Sequence, residues 1–165
     1  MERTCAPEIF APHLQIPGSR ASACPGMTLI QKISMDAREF IQIGMSAERI
    51  LVVPAERTVG HFVPGMPMVY ATPMMILEME MAAGDAIRGK LQPGWVTVGT
   101  EVNVRHLAAA PVGATVRTTA RVIVVERRVI RFEVAAFEGE RKLGEGQHAR
   151  GLINVAKFNR RLGAT

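Results

Sequence analysis

Hydrophobic and polar residues follow two different periods along the chain, and the change of period divides it into elements. Over residues 72–89 the apolar side chains recur at helical spacing, and Pro73 suits the first turn of a helix. From residue 95 onward the spacing becomes two, in four runs separated by short turns: 95–106, 115–125, 129–137 and 141–155. The pattern predicts one long helix followed by four strands.

Another run precedes the helix. Residues 49–62 are rich in β-branched side chains and predict a first strand, which Pro54 interrupts or places at a sheet edge. The predicted order is therefore strand, helix and four strands in hairpin succession. Such an order is typical of an α+β domain in which an antiparallel β-sheet wraps around one long central α-helix.

The first 44 residues show no sustained period. They contain four prolines, both cysteines and a short possible helix around residues 35–43, so we predict a poorly ordered N-terminal extension over residues 1–44 and a folded domain over residues 45–165. Two cysteines fit neither a disulfide framework nor a four-ligand zinc site, and the histidines lack metal-ligand spacing. We expect no bound metal.

Composition and charge narrow the choice of partners. No apolar run of about 18 residues occurs, and the N-terminus lacks the features of a secretory signal, so we expect a cytoplasmic protein without a membrane partner. The net charge of +5 lies wholly in residues 45–165, which hold 16 basic and 11 acidic residues. Such a charge favours binding of nucleic acid, of membrane headgroups or of a small polyanionic ligand. Because only 5% of the residues are aromatic, we expect no nucleic-acid partner.

Glu80 is the first candidate for chemistry. On a helical projection it is the carboxylate that borders the apolar stripe, whereas Glu78 and Asp85 fall on the far side. A carboxylate at this margin can act as a general base, or it can simply reach water. The stripe itself consists of Ile76, Met79, Ala83 and Ile87.

Two further candidates flank the helix and the next strand. His106 ends a strand whose even-numbered positions form the dry face, so it points toward the helix as a general acid or base, or as an ordinary core histidine. Thr72 is the expected N-cap, and its hydroxyl lies where helix-terminal N–H groups can stabilise an oxyanion. Eight helical residues, about 12 Å, separate Thr72 from Glu80, so a substrate or strand must lie between them.

Several short motifs keep an uninterrupted spacing from the helix to the last strand: Thr58-Val59-Gly60-His61, Val69-Tyr70-Ala71-Thr72, Gly99-Thr100, Val104-Arg105-His106, Pro111-Val112-Gly113 and residues 144–150 with 157–159. On these motifs, residues 45–162 resemble the hotdog-fold thioesterases, specifically the fluoroacetyl-CoA thioesterase-like branch. The resemblance implies a hotdog fold and a homodimer whose active site lies at the subunit interface, with an acyl-CoA substrate and no cofactor.

The resemblance also assigns residues. It places catalytic roles on Thr72, Glu80 and His106, and substrate binding on Gly99 and Arg150. The implied activity is hydrolysis of a short-chain acyl-CoA thioester to a carboxylate and CoA. A non-catalytic acyl-CoA-binding or regulatory module, and a hotdog acyl-CoA hydratase or dehydratase, are the alternatives.

One segment departs from the resemblance. Residues 62–69 are shorter than the aromatic lid expected of the fluoroacetyl-specialised enzymes, and Met66 and Met68 stand where bulkier side chains are expected. Selectivity for the fluoroacetyl group is therefore not part of the expectation for this chain.

Overall fold

The structure of the protein, a computed structural model, describes residues 35–163. A 3₁₀ turn at Ala37–Glu39, strand β1 (Ser46–Val52), a second 3₁₀ turn at Ala55–Arg57 and the short helix α1 (Val59–Phe62) come first. Then follow helix α2 (Thr72–Ala86), strands β2 (Trp95–His106), β3 (Thr115–Val125), β4 (Val129–Glu138) and β5 (Arg141–Asn154), and helix α3 (Val155–Leu162).

The five strands form one antiparallel sheet in the order β1-β3-β4-β5-β2. Helix α2 lies across one face of this sheet, touches all five strands and packs mainly on β1 and β3. Buried side chains from α2 and from the inward positions of the strands fill the space between them. The predicted α+β arrangement of an antiparallel sheet around one long helix is confirmed.

The predicted first strand is wrong in its second half. Strand β1 ends at Val52, and Pro54 is followed by the 3₁₀ turn and by helix α1, whose first turn is capped by the Thr58 side chain accepting from the His61 N–H. Proline removes a ladder donor, so the strand ends next to it rather than continuing through it. Helix α3, which was not predicted, begins where β5 ends.

Strand β2 changes its inward face halfway along. Its register with β5 shifts between Gly99 and Glu101, which leaves one extra residue in β2. Before the shift the odd-numbered positions face α2, as the buried Trp95 shows, and Val96 is 42% exposed. The predicted dry face is therefore wrong for Val96 and Val98. Beyond the bulge the even-numbered Val104 and His106 are half-buried, as predicted, whereas Val102 is 44% exposed.

Met79, Ala83 and Ile87 of the predicted stripe are buried, but the inward face of α2 is rotated from the predicted one. The residues of the helix that are buried are Met75, Glu78, Met79, Ala82, Ala83 and Ala86, which centres the inward face about 75° away from the prediction. Ile76 is half-buried, and Glu78, expected on the far side, lies in the interior. The cause is non-local, because β1 and the turn after it cover this flank of the helix and supply partners for the carboxylate.

Glu78 is held by two arginines. Arg49 donates from Nε to its Oε2 at 2.9 Å, and Arg57 donates from Nη1 to its Oε1. Arg49 also reaches Asp85 at 2.7 Å, two helical turns further on. Burial alone raises the pKa of Glu78, but the hydrogen bonds from the two arginines outweigh it and hold the pKa below its ordinary 4.5.

Residues 35–41 pack against this core. Met35, Ala37 and Ile41 are buried, and the Ala37 N–H donates to the Arg127 carbonyl at 3.1 Å. Compact packing therefore begins ten residues before the predicted boundary at Met45. The predicted disorder of the preceding segment and both cysteines, Cys5 and Cys24, lie outside the described residues. No helix within residues 35–163 is long and apolar enough to cross a membrane.

Replacing Glu78 tests the importance of this buried network. We expect Glu78→Gln to lower the free energy of unfolding by about 2 kcal/mol at pH 7, because two partly buried guanidinium groups lose their main counter-charge. Chemical denaturation of the variant and of wild type measures this difference.

The direction of the Glu78 pKa shift fixes how this difference in stability depends on pH. The pKa of Glu78 is lower in the folded state, so its contribution is fully present above the unfolded pKa and is lost as the pH falls through the folded value. The difference in the free energy of unfolding between wild type and Glu78→Gln should become smaller below about pH 4. The exposed Glu133, changed to Gln, is the matched control and should change stability little. A difference in the free energy of unfolding that stays constant from pH 7 to pH 3 would contradict a lowered pKa of Glu78.

Candidate active site

The first half of the site lies at the start of α2. Thr72 is not the N-cap as predicted: Ala71 holds that position, and it has no capping side chain. The Thr72 hydroxyl instead lies 2.8 Å from Nδ1 of His106. The Thr72 N–H has no acceptor among the described residues, and Pro73 has no N–H. The helix start therefore offers an unused donor beside a hydroxyl.

His106 has partners on both ring nitrogens. Its Nε2 lies 3.0 Å from the carbonyl oxygen of Ala108. Because a carbonyl can only accept, Nε2 carries the proton, and Nδ1 of the neutral ring accepts from the Thr72 hydroxyl. In the protonated ring, Nδ1–H donates to Thr72, and the hydroxyl proton is free for another acceptor. The pair can therefore relay a proton.

The second half of the site is built around Glu80. Its side chain is 37% exposed, and its Oε1 lies 3.3 Å from Nη1 of Arg150. The space for the carboxylate depends on Gly99, because a Cβ at that position would lie only 2.5 Å from Oε1 of Glu80. Glycine therefore lets β2 approach the helix closely enough to contact this carboxylate.

Arg150 fixes the geometry around Glu80. It donates to the Thr97 hydroxyl and carbonyl, both at 2.9 Å, and to the Glu80 carbonyl at 3.0 Å. Its side chain is only 11% exposed. Burial lowers the pKa of this guanidinium, and the Glu80 carboxylate opposes that effect. Arg150 thus ties α2 to the first part of β2 and supplies a positive charge beside the carboxylate.

His148 is a site residue that the sequence reasoning did not select. It is buried, its Nδ1–H donates to the Glu101 carbonyl at 2.9 Å, and its Nε2 lies 3.4 Å from Nη1 of Arg150. Burial lowers the pKa of His148, and the positive charge of Arg150 adds to this. The available signal was its even-numbered position in β5, two residues before Arg150.

A cavity of about 660 Å³ adjoins Glu80, between the second half of α2 and the start of β2. Its wall is mainly apolar, and its charged side chains form two ion pairs, Glu80 with Arg150 and Asp85 with Arg88. The apolar side chains of the wall are Leu77, Met81, Ile87, Leu91, Trp95 and Val96. An apolar cavity with a few polar groups is typical of a small-molecule site.

The described chain brings the predicted site residues together in two groups. Thr72 contacts His106, and Glu80 contacts Gly99 and Arg150. Among residues 35–163, no hydrogen bond joins Glu80 to either member of the first group. Within the same residues, no group of three histidine, cysteine or acidic side chains is placed to hold a metal ion.

Comparison with known proteins first defines the class. A hotdog-like protein from Thermanaerovibrio acidaminovorans superposes with a TM-score of 0.72, over 78% of this chain and 96% of its own, at 23% identity. The strand order, the central helix and this likeness define a hotdog fold, and the predicted fold is confirmed.

The family follows from closer relatives. Residues 53–156 match the family model described as fluoroacetyl-CoA-specific thioesterase. The chain is 36% identical over 128 residues to the fluoroacetyl-CoA thioesterase of Streptantibioticus cattleyicolor, covering 74% of this chain and 92% of the relative. The solved fluoroacetyl-CoA thioesterase FlK is 36% identical with a TM-score of 0.71, over 74% and 96% of the two chains. The chain belongs to the fluoroacetyl-CoA-specific thioesterase family.

The protonation of His148 can be measured directly. Because burial and Arg150 lower its pKa, we expect the ring to stay neutral as the pH falls and to titrate below 6.5, as the Nδ1–H tautomer. Two-dimensional ¹H–¹⁵N NMR of the imidazoles measures both properties, with the His148→Gln spectrum providing the assignment. A midpoint at or above 6.5, or the opposite tautomer, would show that the described surroundings of His148 are wrong.

Proposed function

We propose that this protein is an acyl-CoA thioesterase that hydrolyses short-chain acyl-CoA thioesters to a carboxylate and CoA. The observation that carries the proposal is the placement of Glu80 against Gly99, beside an apolar cavity, in a chain of a thioesterase family. The Thr72–His106 pair at a helix start adds the donors that an acyl-transfer reaction needs.

In the proposed reaction, Glu80 either activates a water molecule as a base or attacks the thioester carbonyl carbon as a nucleophile. As a base, its carboxylate takes a proton from water, and the water oxygen bonds to the thioester carbonyl carbon. As a nucleophile, it forms an anhydride that water then hydrolyses. In both routes the carbon–sulfur bond breaks, the thiolate of CoA takes up a proton, and one water is consumed. The contact with Gly99 and Arg150 supports this role because it holds the carboxylate at the end of the cavity.

Thr72 and His106 are proposed to stabilise the carbonyl oxygen and to move protons. The free N–H of Thr72 can donate to that oxygen as negative charge develops on it. The Thr72 hydroxyl can donate as well, when the His106 ring is protonated and donates to Thr72 in turn. The hydrogen bond from Nε2 to the Ala108 carbonyl keeps the ring in this orientation.

A homodimer with a composite site is part of the proposal. Strand β2 is a sheet edge, and its unpaired backbone groups can pair with a second copy around a two-fold axis. Antiparallel pairing over the full length of Trp95–His106 would align Trp95 of one protomer with the partner's His106. Trp95 lines the cavity that holds Glu80, so each cavity would receive the Thr72–His106 pair of the other chain.

The acyl group is proposed to be short and not specifically fluorinated. The curated relative is a fluoroacetyl-CoA thioesterase, and FlK has also been solved with fluoroacetate and CoA. Between α1 and α2 this chain carries the exposed Met66 and Met68, whose flexible thioethers favour adaptable contacts. A cytoplasmic location completes the proposal, since acyl-CoA thioesters are intracellular metabolites.

The Glu80 side chain provides the first test. We expect Glu80→Gln to reduce kcat for acetyl-CoA or propionyl-CoA by at least about 100-fold, because the variant keeps the shape but loses the base or nucleophile. Release of the CoA thiol, followed with a thiol reagent, measures this rate. Glu133→Gln is the matched control and should retain wild-type turnover. Tight binding of CoA esters by a wild-type protein that releases no thiol would favour the non-catalytic binding module instead.

Mixing two inactive variants tests the composite site. Glu80→Ala and His106→Ala, unfolded together and refolded, give about half heterodimers, and each of these has one site with both side chains intact. We expect about one quarter of wild-type activity to return in the mixture. Each variant refolded alone is the control. If the site lies within one protomer, no heterodimer contains a complete site and the mixture stays inactive.

A further inference from the structure

Helix α3 carries three cations on one face. Lys157, Arg160 and Arg161 are spaced three and four residues apart, so their side chains lie side by side. Together they line a shallow depression of about 300 Å³. All three are exposed, and the helix begins directly at the end of β5.

These three cations have no counter-charge against them within the described chain. None of the three forms an ion pair with any residue of the described chain, and the sequence holds no acidic residue over 146–163 or over 86–100. On the outer face of the sheet, by contrast, Arg105, Arg117, Arg131 and Lys142 each pair with a glutamate. The positive charge around α3 is therefore left uncompensated.

That end adjoins the cavity beside Glu80. The N–H of Val155, the first residue of α3, donates to the Gly94 carbonyl at 3.0 Å, and Asn154 pairs with Trp95. Gly94 and Trp95 both line the cavity. A further cation, Arg128, lies over the Trp95 ring, with its guanidinium carbon 5.4 Å from the ring centre.

We propose that the basic face of α3 binds the phosphate groups of the CoA moiety, the diphosphate and the 3′-phosphate. This inference rests on the proposed function, since it places the thioester at Glu80. Four strand residues, about 13 Å, separate Arg150 from the start of α3 at Asn154. The pantetheine arm of CoA spans a gap of this kind between its thiol and its phosphates. Arginine and lysine clusters are the ordinary protein ligands of such phosphates.

Size and surroundings favour CoA over a larger polyanion. The patch is one face of an eight-residue helix, and Arg105 and Arg131 of the sheet are already paired with carboxylates. A nucleic acid binds along an extended basic surface. Three unpaired cations beside a small-molecule cavity match the few phosphate charges of one nucleotide.

The experiment compares two triple variants of the full chain by calorimetry. Lys157→Gln/Arg160→Gln/Arg161→Gln removes the basic face, and Arg117→Gln/Arg131→Gln/Lys142→Gln removes the same residue types and charge from the outer face of the sheet. CoA, which needs no hydrolysis to bind, is the ligand. We expect the Kd for CoA to rise about tenfold in the α3 variant and to stay at the wild-type value in the control.

Kinetics with two substrates then distinguish the phosphates from the rest of the ligand. The α3 variant should show a raised KM and an unchanged kcat for acetyl-CoA, whereas both constants for the acetyl thioester of pantetheine should match wild type. The wild-type KM for acetyl-CoA should rise with salt more steeply than that of the variant. Circular dichroism confirms that both variants are folded.

The outcomes separate this inference from the proposed function. An unchanged Kd for CoA in the α3 variant overturns the inference, whether or not the protein is a thioesterase. A weakened Kd without any thioester hydrolysis supports it while the proposed activity fails. If the α3 variant instead loses binding to a DNA or RNA duplex in a gel shift, or to anionic vesicles, with the Kd for CoA unchanged, the basic face serves that other partner and the inference is wrong.

Discussion

The arrangement of the site depends on one extra residue in strand β2. Gly99 and His106 are seven positions apart, an odd number, so a regular strand would place them on opposite faces of the sheet. The register shift between Gly99 and Glu101 reverses the alternation. Gly99 can therefore face Glu80 while His106 faces Thr72. Bulges commonly re-aim side chains next to functional sites in this way.

Two carboxylates on α2, only two residues apart, have different surroundings. Glu78 is buried and held by Arg49 and Arg57 from the β1 side, so its charge is already compensated. Glu80 lies about 200° further around the helix, keeps more than a third of its side chain exposed, and has one arginine partner. The first fixes the helix against the sheet, and the second remains accessible to a ligand. Helical geometry produces this division, because residues two apart cannot share a face.

Local periodicity was enough to predict strands β2 to β5, but not the end of β1. The bounds of β2 and β3 follow from alternation alone, and His106 does face the helix. The alternation that predicts the orientation of His106 holds only beyond the bulge, because the spacing of the valines in the sequence does not reveal the inserted residue. The inward face of α2 and the burial of Glu78 depend on β1, which is distant in sequence, and no projection of one helix contains that information. The same holds for His148, whose surroundings come from three separate strands and α2.

The cavity follows from how α2 sits on the sheet. Because the buried Glu78 network and the small residues of its inward face hold α2 mainly over β1 and β3, the helix covers the start of β2 less fully. The flank of α2 that carries Leu77, Glu80 and Met81 consequently lines open space rather than core. Apolar side chains left in this position gain free energy only when something else covers them. Because the ion network holds one side of α2 against β1, the apolar side chains on its other side remain to be covered by a ligand or a second protomer.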